Sequence, residues 1–522
     1  MTDRAGPGPG PLCLAIDLGT SGLKVGVVSL EGRMLAQEQH ALTTLYGTGG
    51  AATQDADAWW RVICESARRL LARDDVEARD VAAVAVTGQW SSTVPVDDDG
   101  VPTGPCVMWM DQRGGPHTRR VIGGRVQGYR PAAITKWLAR TGGAPSKTGD
   151  DPIGHLLYLL NEVPELVART RWFLEPVDYL TMRFTGVAAA CHASMQGAWL
   201  TDVRHMELMA YDADLVAMLG IPADKLAPLR AIGSIVGVVQ KSVATELGVG
   251  EDVSVITGLP DLQAAALGAG CVEPYATHLA LSTTSWISCP VPSKRTDVFH
   301  SIATVPGLTA DTFLVVNNQD TGAAALAWLR RILAGGGAAL EFDELTELAS
   351  TAQPGSGGVV FTPWLAGERS PVDDRSARGG FTNLSMSTTT ADMVRAVLEG
   401  VAYNSRWLLG YVEKFTKQRL EPIRLVGGGA VSALWCQIYA DVLNRPVDQV
   451  VDPMFAQLRG MAVLAGVALG HRGLAETPAV LPPSRTFEPD PGRTARYEQL
   501  ASELPDLYAE GKDRWRRLNQ AG

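Results

Sequence analysis

The chain of 522 residues lacks the features that mark secreted, membrane and zinc-binding proteins. It has only seven cysteines, widely spaced and without a CxxC pair, and its eight histidines show no HExxH spacing. A disulfide framework and a zinc site are therefore not expected. Residues 1–11 are rich in glycine and proline and predict a flexible N-terminal tail rather than a signal peptide. No uninterrupted run of about 18 apolar residues follows, so the expected location is the cytoplasm.

The chain also has fewer basic than acidic residues. Lys and Arg number 46 against 56 Asp and Glu, which gives a formal net charge of −10. Nucleic acids and anionic membranes both attract basic surface, so neither is an expected partner. With 46% hydrophobic residues, the chain has core material for two or more domains.

The pattern of apolar runs indicates an α/β protein. Leu12–Asp17 and Lys24–Leu30 flank a Gly/Thr/Ser turn and predict a hairpin. Val81–Thr87 predicts a buried central strand that follows a helix at Trp59–Ala72. Alternation of buried strands with helices is typical of this fold class.

The second half of the chain repeats this layout. His278–Leu281 and Trp286–Cys289 flank a Ser/Thr turn, and Ile423–Val426 runs through a glycine turn into a helix at Ser432–Leu443. The two hairpins suggest two related halves. Residues 482–494 predict a Pro/Arg-rich linker into a charged C-terminal helix.

The segment Asp17–Lys24 (DLGTSGLK) suits the phosphates of a nucleotide. Glycines let backbone N–H groups approach an anion, and Thr20 and Ser21 add hydroxyl donors. Lys24 adds a positive charge, and Asp17 is a carboxylate that can hold Mg²⁺ through water. An ordinary hairpin turn is the alternative interpretation.

Three further segments each have two interpretations. Gly427–Ser432 (GGGAVS) either admits a flat ring or phosphate or is a tight turn with Ser432 as helix N-cap. Asp261 is either an N-cap or a general base at the carboxyl end of a strand. The charged loop Gly367–Pro371 is either solvated surface or functional.

Polar and aromatic residues follow the central strand and suit a polyol. Gln89, Trp90 and Ser91 stand directly after it, and Trp109 and Asp111 come later. Apolar ring faces stack on C–H groups while polar groups take hydroxyls. Core packing is the alternative for both tryptophans.

The order of these motifs resembles the FGGY carbohydrate kinases, and within them a xylulokinase-like branch. The resemblance runs from about Leu12 to Gly470 and rests on Asp17–Lys24, Gly88-Gln89, Trp109-x-Asp111-x-Arg113, Asp178-Tyr179-Leu180, Asp261, Gly367-Glu368-Arg369-x-Pro371, Glu399–Ala402 and Gly427–Ala430. It implies two actin-like (ribonuclease H-like) domains with a cleft between them. The implied domains are a sugar-binding domain at 12–257 and a nucleotide-binding domain at 258–522.

The resemblance also implies an activity, transfer of the γ-phosphate of ATP to a small sugar or polyol, with a ketopentose as the expected acceptor. Asp261 then matches the catalytic base and contacts the sugar, as do Gln89, Trp90, Ser91 and Asp111. ATP and Mg²⁺ are the implied cofactors, with Asp17 as the metal ligand. The implied nucleotide contacts are Asp17, Thr20, Ser21, Lys24, Thr283, Thr284, Gly428 and Gly429.

Several residues depart from the family pattern. Glycerol-specific members carry Arg-Glu, and typical xylulokinases Met-His, where this chain has Trp90-Ser91. Leu262 replaces an amide that binds a hydroxyl, and Arg459 places a bulky cation near the expected nucleotide region. A missing hydrogen-bond partner changes discrimination strongly, so these departures concern the substrate more than the reaction. The alternative is a silent member that binds nucleotide or sugar without transfer. A homodimer is compatible with the sequence.

Overall fold

The computed structural model describes residues 10–126 and 128–519. Of the predicted N-terminal tail, residues 1–9 lie outside this description. Within the described ranges, no helix combines the length and the apolar character needed to cross a membrane. All seven cysteines are buried and unpaired.

A seven-stranded sheet forms the centre of the first half and is called the N-terminal sheet here. Its first two chain segments, Leu12–Leu18 and Gly22–Ser29, form the predicted antiparallel hairpin, and Val81–Gly88 pairs parallel to the first of them. Every residue of Leu12–Leu18 is buried, because helices or other chain segments cover both faces. In spatial order the strands are Ile235–Val238, Ser254–Ile256, Val81–Gly88, Leu12–Leu18, Gly22–Ser29 and Met34–Ala41, with Leu259–Pro260 also beside Val81–Gly88.

A five-stranded sheet, called the C-terminal sheet here, repeats this plan. Thr277–Leu281 and Ser285–Ser288 form an antiparallel hairpin, and Ile423–Val426 pairs parallel to Thr277–Leu281. The predicted repeat of hairpin plus parallel strand is therefore present in both halves. In spatial order the strands are Ser285–Ser288, Thr277–Leu281, Ile423–Val426, Val447–Val450 and Pro483–Phe487.

The predicted linker at 482–494 is wrong. Pro483–Phe487 is an edge strand antiparallel to Val447–Val450, and the C-terminal helix already begins at Pro491. Phe487 is the one buried residue of this strand, and its other four residues are partly or fully exposed. An edge strand tolerates proline and charge, so its composition is that of a linker.

Smaller strands, sixteen α-helices and several short 3-10 helices complete the described structure. The smaller sheets comprise Leu45–Tyr46 with Ala52–Gln54 and Cys106–Val107; Val94–Val96 with Trp172–Leu174; Ala190–Cys191 with Leu229–Arg230; Pro290–Val291 with Thr296–Asp297, Ile302–Pro306 and Phe313–Val316; and Val360–Thr362 with Gly380–Thr382. A short strand spans Gly123–Val126. The helices are Ala56–Leu71, Gly115–Ile122, Pro131–Thr141, Pro152–Glu162, Pro164–Arg169, Pro176–Thr185, Ala213–Leu219, Lys241–Leu247, Asp261–Gly268, Ala324–Ala334, Phe342–Ser350, Thr390–Thr416, Ala433–Leu443, Ala456–Ala468, Thr477–Val480 and Pro491–Leu518.

Two of these helices join the halves, and we call Asp261–Gly268 and Ala456–Ala468 the crossing helices. They approach so closely that a Cβ on Gly268 would lie 1.8 Å from the Ala456 carbonyl oxygen, and one on Gly460 2.4 Å from the Gly268 nitrogen. Ala456–Ala468 comes from the second half of the chain but packs its Leu458 and Met461 into a core shared with the N-terminal sheet. Glycine is therefore required where the helices cross.

Arg459 lies on the second crossing helix and contacts both halves of the chain. Its expected place near the nucleotide region stays a prediction. Its side chain is buried, and its Nε donates to the Gly32 carbonyl at 2.7 Å while Nη1 donates to the Val451 carbonyl. The turn at Gly32 belongs to the N-terminal sheet, so the guanidinium ties the two halves together. Burial lowers the pKa of Arg459, as expected for a desolvated cation.

Substituting Gly460 by alanine tests the crossing. The added methyl has no room against backbone atoms, so we expect a loss of about 1–3 kcal/mol of stability, seen as a lower melting temperature. Gly410→Ala is the matched control, because Gly410 also lies inside a helix but a Cβ added there would meet no heavy atom within 4 Å. That control should be neutral or stabilising by up to ~1 kcal/mol. Equal melting temperatures for both variants would contradict the close crossing.

Candidate active site

The strand register of the N-terminal sheet brings the first group of candidate residues to one edge. Asp17 pairs with Thr87, and Thr87 pairs with Leu259, so the three residues form one row across adjacent strands. Asp261 follows Leu259 by two residues and begins the first crossing helix. This edge is the carboxyl end of the parallel strands, where open α/β sheets bind ligands.

The turn of the first hairpin carries paired charges. Lys24 Nζ lies 2.9 Å from Asp17 Oδ2, and the Asp17 side chain is nearly buried. The Gly19 N–H donates to the Gly22 carbonyl and closes the turn, leaving Ser21 exposed. The arrangement presents a hydroxyl, backbone N–H groups and a lysine beside a carboxylate, which suits a phosphate accompanied by a divalent cation.

Asp261 is the first residue of its helix and not the N-cap, a position that Pro260 holds. The N-cap interpretation of Asp261 is therefore wrong. Burial, and next the negative charge of Asp17, raise the pKa of Asp261 from its ordinary value to about 7. A carboxyl group that titrates near neutral pH is well matched to accepting a proton.

A chain of hydrogen bonds links the hairpin turn to the residues after the central strand. Trp109 Nε1 donates to Thr20 Oγ1 at 3.0 Å, and Thr20 Oγ1 donates to Gln89 Oε1 at 3.1 Å. Trp109 is 36% exposed, so core packing does not explain it. Trp90 and Ser91 are partly buried at the same strand end. The predicted phosphate and sugar residues of the first half thus lie in one connected group.

Asp111 is fully buried and its oxygens are used within the protein. It accepts from the Ala52 N–H at 2.8 Å, and the Arg113 guanidinium binds it at 2.7 Å. This pair holds the chain after Trp109 in place. The predicted sugar contact of Asp111 stays a prediction.

The second hairpin and the glycine turn meet at the corresponding edge of the C-terminal sheet. Thr283 is exposed at the hairpin turn, with Thr284 beside it. A Cβ on Gly427 would lie 2.6 Å from Ser282 Oγ, and one on Gly429 2.5 Å from Leu281 Cγ. These two glycines therefore allow the glycine turn to pack on the hairpin. Gly428 is exposed, and a Cβ added to it would meet only Met454 Cε, at 4.0 Å.

The charged loop Gly367–Pro371 serves the fold. Glu368 is 1% exposed and accepts from Asn404 Nδ2 at 2.6 Å and from the Asp320 N–H at 3.0 Å. Burial raises the pKa of Glu368 to about 8. Glu399 is likewise buried and bound by Arg395 at 2.7 Å. The solvated-surface interpretation is wrong for Glu368, and both motifs anchor the helix Thr390–Thr416.

Sequence reasoning missed Gln263, which lies next to the departure at Leu262. Leu262 packs in a small apolar cluster with Val305 and Leu314. Gln263 Nε2 donates to Gln196 Oε1 at 3.1 Å and to the Pro306 carbonyl at 2.8 Å, bridging segments of the two halves. The sequence signal for Gln263 was a side-chain amide two residues after Asp261.

The residues present fit Mg-ATP. Asp17, Lys24 and the exposed hydroxyls at both hairpin turns offer partners for phosphates and a hydrated cation, and Gly428 leaves open space for a flat ring. No cluster of three or more potential metal-ligating side chains occurs among the residues that the structure describes. A magnesium ion here would take much of its coordination from the phosphates and water.

Comparison with known proteins identifies the family. Residues 12–268 match the N-terminal domain, and residues 282–469 the C-terminal domain, of the FGGY family of carbohydrate kinases. The chain is 27% identical over 503 residues to a xylulose kinase of Staphylococcus epidermidis, covering 96% of this chain and 97% of that protein. It is 30% identical over 506 residues to a glycerol kinase of Leptothrix cholodnii, covering 92% and 96%.

Solved structures share the fold. The ligand-bound xylulose kinase of Lactobacillus acidophilus superimposes with a TM-score of 0.84 at 20% identity, covering 98% of this chain and 100% of that one. Together with the domain matches, this confirms the predicted fold of two actin-like domains. The boundary at residue 257 stays a prediction.

Replacing Asp261 by asparagine tests the raised pKa. An unfolded aspartate ionises near pH 3.9, so between about pH 4 and 7 the folded protein keeps a proton that the unfolded chain has released. Ionisation of Asp261 therefore costs stability as the pH rises. We expect Asp261→Asn to raise the melting temperature by a few degrees at pH 8 and to change it little near pH 4.

Asp252→Asn is the matched control, because Asp252 is exposed. It should leave the melting temperature unchanged at both pH values. A gain for Asp261→Asn that is the same at pH 4 and pH 8 would argue against a raised pKa.

Proposed function

Since the chain belongs to the FGGY family of carbohydrate kinases and is an ATP-dependent sugar kinase, we propose that its acceptor is a ketopentose, D-xylulose first among them. The observation that carries this proposal is the match along nearly the whole chain to proteins named xylulose kinase. The candidate base beside the charged hairpin turn supports the same reaction.

Asp261 is proposed to accept the proton of the attacking sugar hydroxyl. Its pKa of about 7 allows it to be ionised at neutral pH and still basic enough to take a proton. The nearby Asp17 charge, which raises this pKa, also favours the protonated form of Asp261 that results. General-base catalysis of this kind contributes about 10²–10⁴-fold in rate.

The hairpin turns are proposed to hold the phosphates. Lys24, Thr20 and Ser21 would bind them from the N-terminal sheet, and Thr283 and Thr284 from the C-terminal sheet. Gly428, with Gly429 behind it, would face the adenosine. Mg²⁺, held through Asp17, would neutralise phosphate charge. Phosphoryl transfer needs mainly positioning and charge neutralisation, which side chains at the two hairpin turns would supply.

The sugar side is proposed to involve Gln89, Trp90 and Ser91 by contact, and Asp111 through its hold on the segment after Trp109. Trp90 offers an apolar face, and Ser91 and Gln89 offer hydrogen bonds. Glycerol is disfavoured, although one relative is named a glycerol kinase, because Trp90-Ser91 replaces the Arg-Glu pair of glycerol-specific members. Buried Leu262 offers no hydroxyl partner.

We also propose that the enzyme works in the cytoplasm, where its co-substrate ATP is available, and that it forms a homodimer. The dimer is tested directly by light scattering in solution. A single mass near 55.5 kDa at micromolar concentration would contradict it.

ADP release with Mg-ATP across ketopentoses, ketohexoses, pentitols and glycerol tests the proposed acceptor. We expect D-xylulose to give the highest kcat/KM and glycerol to give little turnover. Asp261→Ala should lower kcat by at least ~10²-fold while the Kd for ATP changes little, because only the proton acceptor is lost.

Asp252→Ala is the control for the loss of an exposed carboxylate and should keep full activity. Retained phosphorylation in Asp261→Ala would contradict its assignment as base. ATP binding without turnover of any sugar would favour the silent-member alternative.

Replacing Trp90 by alanine tests the sugar side. We expect the KM for the sugar to rise about tenfold or more and the ranking of sugars to change, with the KM for ATP nearly constant, because a stacking surface is lost. Trp172→Ala is the control, since Trp172 is also partly buried but lies in a separate strand pair. An unchanged substrate profile would show that Trp90 serves packing only.

A further inference from the structure

The turn at Gln89–Ser92, here called the sugar turn, has an unfavourable backbone. Ser91 adopts φ 65°, the left-handed region that disfavours residues with a Cβ. Such a conformation persists when surrounding contacts impose it. The sugar turn carries three of the residues proposed to bind the sugar, so whatever holds it also sets the shape of the site.

The segment facing the sugar turn leaves Ser91 little space. A Cβ on Gly197 would lie 2.9 Å from Ser91 Oγ and 3.0 Å from its Cβ. Gly197 lies in the short turn Ser194–Ala198, which also carries Gln196. The Gly197 backbone therefore restricts the Ser91 side chain on one side. The contacts on the other side of the sugar turn help to set the conformation of Ser91.

The buried carboxyl group of Glu175 contacts the backbone of the sugar turn. Glu175 is 2% exposed and stands at the N-cap position of the helix Pro176–Thr185, yet its side chain caps no N–H of that helix. Instead, Glu175 Oε2 accepts from the Ser92 N–H at 3.1 Å. The Ser92 hydroxyl in turn accepts from the Trp109 N–H at 3.0 Å.

The burial of Glu175 needs an explanation. Its second oxygen, Oε1, is buried without a hydrogen-bond partner among the described residues. Burial, and then the nearby Asp178, raise the pKa of Glu175 well above its ordinary value. A buried carboxyl with one unpaired oxygen costs stability, and an apolar side chain of similar size would remove that cost but leave the Ser92 N–H without an acceptor. A buried acid whose one hydrogen-bonded oxygen accepts from the sugar turn points to a role in shaping that turn.

We propose that Glu175 is a positioning residue for the sugar turn, holding the Ser92 N–H so that Ser91 stays left-handed and Gln89, Trp90 and Ser91 face the sugar. This inference rests on the proposed function of that turn. Glu175 acts through Ser92 and not by contact with the sugar. Its loss should therefore weaken sugar binding and leave ATP binding unaffected.

Glu175→Met tests the proposal, because methionine matches the volume of glutamate but accepts no strong hydrogen bond. We expect the KM for the sugar to rise at least ~10-fold and the KM for ATP to stay within about twofold. The melting temperature should change by only a few degrees, because removing the buried carboxyl stabilises the fold while the unpaired Ser92 N–H destabilises it. Glu175→Gln keeps an acceptor oxygen and should restore a sugar KM within about threefold of the wild type.

A double-mutant cycle with Ser91→Gly isolates the mechanism. Glycine adopts φ 65° without strain, so the backbone needs less support. In the Ser91→Gly background, the change Glu175→Met should alter the sugar KM by less than about threefold. An equal effect of Glu175→Met in both backgrounds would overturn the link to Ser91.

Other results would contradict the positioning role of Glu175. An unchanged sugar KM in Glu175→Met, or KM values for sugar and ATP that rise together, would assign Glu175 a structural role only. Glu165→Gln is the matched control, because Glu165 is an exposed acid on the preceding helix Pro164–Arg169, and it should leave the sugar KM within about twofold. If the wild-type protein phosphorylates no sugar, the proposed function fails. If it does and Glu175→Met has a normal sugar KM, this inference alone fails.

Discussion

The close crossing of two helices at Gly268 and Gly460 is the contact on which the arrangement of the whole site depends. With no side chain between them, the backbones meet directly, and the second crossing helix packs on the N-terminal sheet although it belongs to the second half of the chain. The first crossing helix begins at Asp261 and ends at Gly268. The crossing therefore sets where the candidate base stands relative to Asp17 and to both hairpin turns, and Arg459 reinforces it through the Gly32 carbonyl.

The charges at the edge of the N-terminal sheet reduce stability. Two carboxylates, Asp17 and Asp261, lie close enough for the first to raise the pKa of the second, and a single lysine pairs with Asp17. Like charges in a partly desolvated site cost folding free energy. The same cost gives Asp261 a pKa of about 7, which suits its proposed role as a base.

The local motifs were predictable from the sequence because their chemistry is local. Both hairpins, the central strand and the helix starting at Asp261 follow from apolar runs, turns and glycines, and the repeat of hairpin plus parallel strand follows from their order. Long-range packing was not predictable in the same way. The edge strand Pro483–Phe487 has the composition of a linker, and nothing near Arg459 in the sequence indicates a partner at Gly32. Glu368 and Glu399 belong to motifs that are specific in the sequence, but both side chains are buried and bind residues of the helix Thr390–Thr416.

A crystal structure with D-xylulose and a non-hydrolysable Mg-ATP analogue tests the proposed site most directly. We expect a sugar hydroxyl within about 2.6–3.2 Å of an Asp261 oxygen, with the terminal phosphate between the two hairpin turns and in line with that hydroxyl. A sugar bound with no hydroxyl in reach of Asp261, or a nucleotide bound away from both hairpin turns, would contradict it.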